Sequence, residues 1–189
     1  ATDGYWNTGA EYSGFYTNVN NSANIGNMDG GTTPLPYKEG FSSSNSLADI
    51  ARYYYVTDLR TPALGNCIGG TKPDGSTENV CGNDFGIQRM ITFGMALGIP
   101  GILDYTSDYL TATSGEYYDL KNGLNGRKWP DPQVGSTSSQ IPARIDDLWH
   151  ATVNSDGIYF SAKSTTEVIR ALRDALAAMD KKKGAGAAA

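Results

Sequence analysis

The sequence has 189 residues, a length typical of one domain of ordinary size. Hydrophobic residues make up 39%, enough for a lean core, and the 23 glycines and 12 tyrosines favour long structured surface loops. The net charge of −5, without a basic stripe, argues against nucleic acid or an anionic membrane as a partner, and no apolar run is long enough for membrane insertion.

The chain opens on Thr2-Asp3-Gly4, which reads as a strand end followed by a turn. Tyr5 and Trp6 then offer a large aromatic surface and are candidate binding residues. Asp3 is either a metal ligand or a turn former, and from the residue alone the turn former is favoured. The apolar residues that normally precede such a strand end are missing, so we expect the sequence to be a piece of a longer polypeptide.

Residues 11–44 form a loop-like stretch rich in side-chain oxygens. The polar residues of this stretch include Asn18, Asn20, Asn21, Asn24, Asn27 and Asp29. Such a density could hold a hard cation such as calcium, but the spacing fits no EF-hand loop. A solvated loop is the favoured interpretation.

The first clear helix is predicted over residues 46–59. Ser46 is a candidate N-cap, with Asp49 three residues on in a capping-box position. One apolar stripe is predicted from the i, i+3, i+4, i+7 spacing of Leu47, Ile50, Ala51 and Tyr54.

Two cysteines, Cys67 and Cys81, lie in the polar glycine-rich loop that follows. Outside the cell such a pair reads as a disulfide that closes a loop, worth about 3 kcal/mol in the chain-entropy model. A metal pair is the weaker alternative, because the single histidine, His150, is far away in sequence.

Residues 90–99 are ten residues without a charge, and they predict a strand buried on both faces. A buried helix is the alternative, against which Gly94, Gly98 and the β-branched Ile91 and Thr92 argue. Residues 101–141 are predicted to be rich in loops, with a possible short helix near 105–110.

A helix is predicted over residues 142–153, with Asp146 and Asp147 in its first turn, where they suit the helix dipole. We interpret His150 as a half-buried packing residue and not as a base. A short strand is predicted at 158–162, and a helix that Ser164 and Glu167 begin with a capping box follows it. Its predicted apolar stripe comprises Val168, Ile169, Leu172, Ala175, Leu176 and Met179.

The order of strand end, helix, strand, helix, strand and helix predicts an α/β fold with a partial doubly wound, Rossmann-type parallel sheet flanked by helices. Only about half of such a sheet is present, so an open edge of backbone groups is expected.

Several blocks of this chain resemble the PilY-type type IV pilus tip-associated proteins. These blocks are residues 2–7 (TDGYWN), 46–51 (SLADIA), 92–98 (TFGMALG), 144–151 (RIDDLWHA) and 159–162 (YFSA). They occur in the family's order and span nearly the whole chain, and the block at 144–151 is the most specific of them.

The resemblance implies that residues 1–183 are the back half of a von Willebrand factor A-like domain, with residues 184–189 as a flexible tail or linker. It gives Asp3 the role of one carboxylate in a metal-ion-dependent adhesion site, which would hold Mg²⁺ or Ca²⁺ in the intact domain. The other ligands of that site lie upstream in the family, so this chain alone is expected to bind no metal there.

The resemblance further implies a non-catalytic, extracellular or pilus-associated module for attachment or pilus biogenesis. Its expected partners are pilus components or a surface receptor, the missing N-terminal half, or copies of itself. One alternative is a self-associating structural subunit of an extracellular filament, because an open sheet edge invites strand addition. Another is a carbohydrate-binding or carbohydrate-active protein, with Trp6, Trp129 and Trp149 as stacking surfaces and Asp146 and Asp147 as a carboxylate pair.

Overall fold

The computed structural model describes residues 25–59, 89–132 and 142–181. They form two strands and four helices. In chain order these are α1 (Leu47–Val56), β1 (Gly94–Leu97), α2 (Glu116–Asn122), α3 (Ala143–Asn154), β2 (Tyr159–Ala162) and α4 (Thr165–Lys181). The predicted helices at 46–59 and 142–153, the helix after Ser164, and the strands within 90–99 and 158–162 are therefore confirmed. The predicted strand end at Thr2-Asp3 and the tail at 184–189 lie outside the described residues.

The two strands pair in parallel, with Gly94 opposite Tyr159 and Leu97 opposite Ala162. The uncharged run at 90–99 is longer than the strand that it forms. Gly98 adopts a φ of 75°, a left-handed conformation that ends β1. A Cβ on Gly94, the first residue of β1, would lie 2.7 Å from Cγ2 of Thr152 on α3. The glycine therefore permits close packing of strand and helix.

Helices cover both faces of this sheet. On one face Ala96 and Tyr159 pack in a core with Ile145, Trp149 and Val153 of α3. On the other face the buried side chains are Met95, Phe160, Ala171 and Ala175, the last two from α4. The expected α/β layering is confirmed for this two-stranded parallel sheet.

The helix α1 begins with the predicted capping box. The Asp49 amide donates to Oγ of Ser46 at 3.1 Å, and the Ser46 amide donates to Oδ2 of Asp49 at 2.9 Å. The buried residues of α1 are Ala48, Asp49 and Ala51. The helix therefore packs on α3 through small side chains, while Leu47, Ile50 and Tyr54 of the predicted stripe are only half-buried.

The short helix expected near residues 105–110 is instead a series of turns, and α2 follows it without having been predicted. Gly115 precedes α2 with a φ of 102°, and Gly123 ends it with a φ of 66°. Tyr117 and Leu120 of α2 are buried in the same core as Trp149.

The helix α4 is only partly covered. Val168, Ala171 and Ala175 pack against the sheet. Three other apolar residues of its predicted stripe are exposed, namely Ile169 (48%), Leu172 (51%) and Leu176 (65%). None of the described helices is both long enough and apolar enough to cross a membrane.

Candidate functional site

The site residues predicted from the sequence lie outside the described residues. They are the proposed metal ligand Asp3, the aromatic pair Tyr5 and Trp6, and the cysteines Cys67 and Cys81. Their roles stay predictions. Two other groups of side chains are described by the structure, a cleft at one end of the sheet and a buried polar cluster beside α3.

The cleft lies at the carboxyl ends of both strands, where parallel sheets commonly bind ligands. It encloses about 310 Å³. Pro100 and Gly101 border it just after β1, and Lys163 borders it just after β2.

Aromatic rings line the inner wall of the cleft. Trp149 stacks on Tyr159, with ring centroids 5.4 Å apart and an interplanar angle of 15°. The Tyr105 ring meets both of them edge-on, at 5.5 Å from Trp149 and 5.3 Å from Tyr159. Each aromatic pair of this kind contributes about 0.5–1.5 kcal/mol beyond its buried area, so these ring contacts stabilise the wall.

Asp146 reaches the cleft from α3, but its carboxylate is already engaged. Its oxygens accept hydrogen bonds from the amides of Ile102 at 2.7 Å and Leu103 at 3.2 Å. Burial raises the pKa of Asp146 to about 6, although these two amides oppose the shift. Asp146 therefore fixes the loop after β1 and is not placed as a reacting group.

Charged side chains form the rim of the cleft. Oε2 of Glu167 accepts a hydrogen bond of 2.5 Å from the Lys163 amide, so this carboxylate closes the turn between β2 and α4. Lys163 and Arg170 are exposed and line the same opening. The half-buried ring of Tyr105 and this mixed-charge rim suit the binding of a polar ligand such as a peptide. The single histidine of the sequence, His150, does not line this cleft and belongs to the polar cluster described next.

The polar cluster joins the loop before α1 to α1 and α3. Its buried side chains are Asp29, Glu39, Asp49, Asp147, His150 and Asn154. Oδ2 of Asp147 accepts from the Leu47 amide at 2.9 Å and Oδ1 accepts from the Ala48 amide at 3.2 Å. Burial raises the pKa of Asp147 to about 7. Asp147 thus serves the first turn of α1 and not, as predicted, the dipole of its own helix.

Asp49 of α1 binds the loop that precedes this helix. Its Oδ1 accepts from the Met28 amide at 2.6 Å, in addition to the capping-box bonds of Oδ2. Glu39 accepts from the Ser43 amide at 3.0 Å and from Nδ2 of Asn27. The loop interpretation of this stretch holds for residues 25–44, but Asp29 and Glu39 are buried and not solvated.

His150 is fully buried and stacks on Trp129, with ring centroids 4.6 Å apart. Its Nε2 lies 2.7 Å from the carbonyl oxygen of Tyr37, which can only accept, so Nε2 carries the hydrogen. Burial lowers the pKa of His150 to about 3, so the ring is neutral although Oδ2 of Asp29 lies 3.5 Å from Nε2. The prediction of a packing residue is confirmed, and the burial is deeper than predicted.

The geometry weakens the carbohydrate hypothesis. Trp129 and Trp149 are buried, so neither offers a ring face to a sugar in solvent. The carboxylates of Asp146 and Asp147 serve different backbone segments, the loop after β1 and the start of α1. They do not face one another across a bond to be cleaved. Within residues 25–59, 89–132 and 142–181, no group of three or more His, Cys, Asp or Glu side chains could hold a metal ion.

Comparison with known proteins gives matches over most of the chain. The type IV pilus biogenesis factor PilY1 of Pseudomonas aeruginosa strain PAK is 30% identical over 190 aligned residues, which cover 93% of this chain. This chain is similar to PilY1. The PilY1 of strain PAO1 matches at the same identity and coverage, and that of strain UCBPP-PA14 is 32% identical over 152 residues, 75% of the chain.

The similarity to PilY1 concerns a small part of that protein. The chain spans 15% of the length of the PilY1 proteins of strains PAK and PAO1, and 12% of that of strain UCBPP-PA14. No family model matches the chain. No solved structure matches it either.

Proposed function

We propose that this chain is a non-catalytic module of a type IV pilus-associated protein that acts outside the cell in attachment or pilus biogenesis. The observation that carries this proposal is the 30% identity to PilY1 over 93% of the chain. Within the module, we assign protein contacts to the surface around the sheet-end cleft, where an aromatic wall meets exposed charges.

We also propose that residues 1–183 are part of a larger A-like domain. The parallel pairing of β1 and β2 and the helices on both faces support this architecture. The helix α4 supplies a second argument. At about 100° per residue, the apolar residues of α4 lie within an arc of about 160° around the helix axis, with Ala171 at one edge and Ile169 at the other. The sheet covers the half of this arc that contains Ala171 and leaves the half that contains Ile169 exposed. A wider sheet would cover both halves.

The metal and disulfide assignments are proposals that depend on the resemblance. Asp3 would supply one carboxylate to Mg²⁺ or Ca²⁺ only when the upstream ligands are present, because such ions need several oxygen ligands. The described residues include no alternative group of acidic or histidine ligands. Cys67 and Cys81 would form a disulfide in an extracellular setting.

A segment exchange tests the proposed function. The segment of Pseudomonas aeruginosa PilY1 that aligns with this chain is replaced by the 189 residues, and surface pili and surface attachment are measured. Partial recovery relative to a deletion of the segment is the expected result. A matched control carries Gly157→Trp, which is expected to prevent folding without changing the charge, because even a Cβ there would overlap the carbonyl oxygen of Thr92. A chimera that is produced at the normal level and gives no more pili than the deletion would contradict the proposal.

A second candidate function is self-association into a filament. The exposed apolar residues of α4 favour it, since contiguous exposed apolar surface often marks an interface. Light scattering of the purified chain separates the two functions, because a filament subunit gives species that grow with concentration.

A further inference from the structure

The side chains of Asp29 and Asn154 are joined by one hydrogen bond, and each side chain has a second polar atom, an oxygen, that lacks a hydrogen-bond partner among the described residues. Nδ2 of Asn154 donates to Oδ2 of Asp29 at 2.5 Å, and both side chains are completely buried. Oδ1 of Asp29 and Oδ1 of Asn154 are also buried, and neither has a hydrogen-bond partner in the part of the chain that the structure describes. A buried polar atom without a hydrogen-bond partner destabilises the folded state. The two oxygens belong to side chains that are hydrogen-bonded to each other, so a single change could give both of them a partner.

The surroundings of Asp29 disfavour a negative charge. Burial is the largest cause that raises its pKa, to about 8, followed by the carboxylates of Asp49 on α1 and Glu39 on the same loop. Asp147 on α3 adds a smaller effect in the same direction, while the bond from Asn154 opposes it. His150 on α3 has its Nε2 3.5 Å from Oδ2 of Asp29, but burial, with a smaller effect from Arg52 of α1, lowers the pKa of His150 and keeps it neutral.

We propose that Asp29 is a neutral carboxylic acid in the folded protein and that its Oδ1–H donates a hydrogen bond to Oδ1 of Asn154. The acid and the amide then form a closed pair. The amide N–H donates to the acid carbonyl, and the acid O–H donates to the amide carbonyl. One proton gives both leftover oxygens a partner and removes a charge from a group of four buried carboxylates.

This pair connects three parts of the fold. Asp29 belongs to the loop before α1, and its carbonyl oxygen accepts from the Glu39 amide at 3.3 Å. Asn154 is the last residue of α3, and its Nδ2 also contacts the carbonyl oxygen of Ala48 on α1 at 3.3 Å. Loss of the proton therefore weakens the attachment of the loop to both helices.

The sign of the pH dependence follows from the two pKa values. Asp29 titrates near 3.9 in the unfolded chain and near 8 in the folded protein. Between these values the folded state holds a proton that the unfolded state has lost. The contribution of Asp29 is therefore fully present below about pH 4 and is lost as the pH rises through about 8.

Carbon NMR of the 189-residue chain labelled with ¹³C at the aspartate Cγ tests the proposal directly. The Asp29 signal, assigned through its bonded backbone resonances, is expected to keep the shift of a protonated acid until a midpoint near pH 8. A midpoint below pH 5 would overturn the proposal. This measurement uses the unmodified chain, so it does not depend on the folding of any variant.

The variant Asp29→Asn provides the second arm. Its amide can donate to Oδ1 of Asn154 and accept from Nδ2, so the closed pair is kept without a titrating proton. Unfolding by denaturant from pH 5 to 9 should show a shallower loss of stability with rising pH than in the unmodified chain. The matched control Asp108→Asn removes the same charge from an exposed residue and should keep the original slope.

A cation is the competing occupant of the two oxygens. Calcium or magnesium at 5 mM would then raise the melting temperature at pH 8, and Asp29→Asn would abolish the increase. That outcome would overturn the proton assignment, whereas an unchanged melting temperature in both metals agrees with it.

Discussion

Asp147 on α3 accepts a hydrogen bond of 2.9 Å at Oδ2 from the backbone amide of Leu47, the first residue of α1. The adjacent amide, that of Ala48, donates to Oδ1 of the same carboxylate. The first amides of a helix have no partner within the helix. A side chain one hundred residues away in sequence therefore caps α1, together with its own Ser46.

Replacement of Asp147 by alanine should destabilise the protein, because it leaves two amides of the first turn of α1, one buried and one partly buried, without an acceptor. The expected loss in the free energy of unfolding is about 2–4 kcal/mol. Denaturant unfolding at pH 5 measures it, because burial raises the pKa of Asp147 to about 7 and the cost of the buried charge would offset the loss at higher pH. The exposed variant Asp108→Ala is the control and should lose less than about 0.5 kcal/mol. A loss for Asp147→Ala as small as that of the control would show that the cap contributes little.

Replacement of Gly157 by alanine should be more damaging than the same change at Gly126. A Cβ at Gly157 would overlap the carbonyl oxygen of Thr92, and backbone atoms cannot move away as the end of a side chain can. We expect a loss of about 3 kcal/mol or more. Gly126 has a φ of 64° and open space around it, so alanine there costs only backbone strain, about 1–2 kcal/mol.

Thermal unfolding of the two glycine variants, measured side by side, separates the steric effect from the conformational one. Equal melting temperatures would mean that the loop after α3 can withdraw from Thr92. That result would contradict the close approach of Gly157 to the Thr92 carbonyl oxygen.

The elements that rest on local chemistry could be predicted from the sequence. The capping box of Ser46 and Asp49 lies within four consecutive residues, and the uncharged run around Gly94 has the composition of a buried strand. The helix α2 could not be found in this way. It has seven residues and begins after Gly115, which provides no side-chain cap.

The buried polar cluster could not be predicted for a different reason. Asp29, Asp147 and Asn154 look like ordinary loop, helix and helix-end residues, because each is usually exposed. Their partners lie about a hundred residues away in the chain, for example Leu47 for Asp147 and Asn154 for Asp29. The nearest sequence signal is the pair Asp146-Asp147 next to Leu148 and Trp149, where a charged pair adjoins a core segment.

Replacement of His150 by glutamine should change how the free energy of unfolding depends on pH below about 6.5. In the folded protein burial lowers the pKa of His150 to about 3, whereas the unfolded side chain titrates near 6.5. The unfolded state therefore binds an extra proton between these values. The contribution of the neutral ring is fully present above about pH 6.5 and is lost as the pH falls toward 3.

Glutamine cannot titrate, so the loss of stability at low pH that comes from His150 should vanish. Its amide can still donate a hydrogen bond to the carbonyl oxygen of Tyr37. At pH 7 the variant should be less stable by about 0.5–1.5 kcal/mol, because the stack on Trp129 is lost. Denaturant unfolding at pH 4.5 and pH 7 measures both effects. If the difference between variant and original is the same at both values, the histidine is not held neutral.

The exposed apolar residues of α4 give a final prediction. Leu172 and Leu176 are 51% and 65% exposed, so replacement of both by lysine should change the free energy of unfolding by no more than about 1 kcal/mol. The same change at Ala175, which packs against the sheet, buries an unpaired charge and should prevent folding.

If the exposed arc of α4 is an interface, the double lysine variant should remain folded yet lose any self-association seen by light scattering. In the PilY1 chimera it should also reduce piliation although the protein is produced normally. A double variant that assembles and supports pili as well as the original chain would show that this half of the arc contacts nothing.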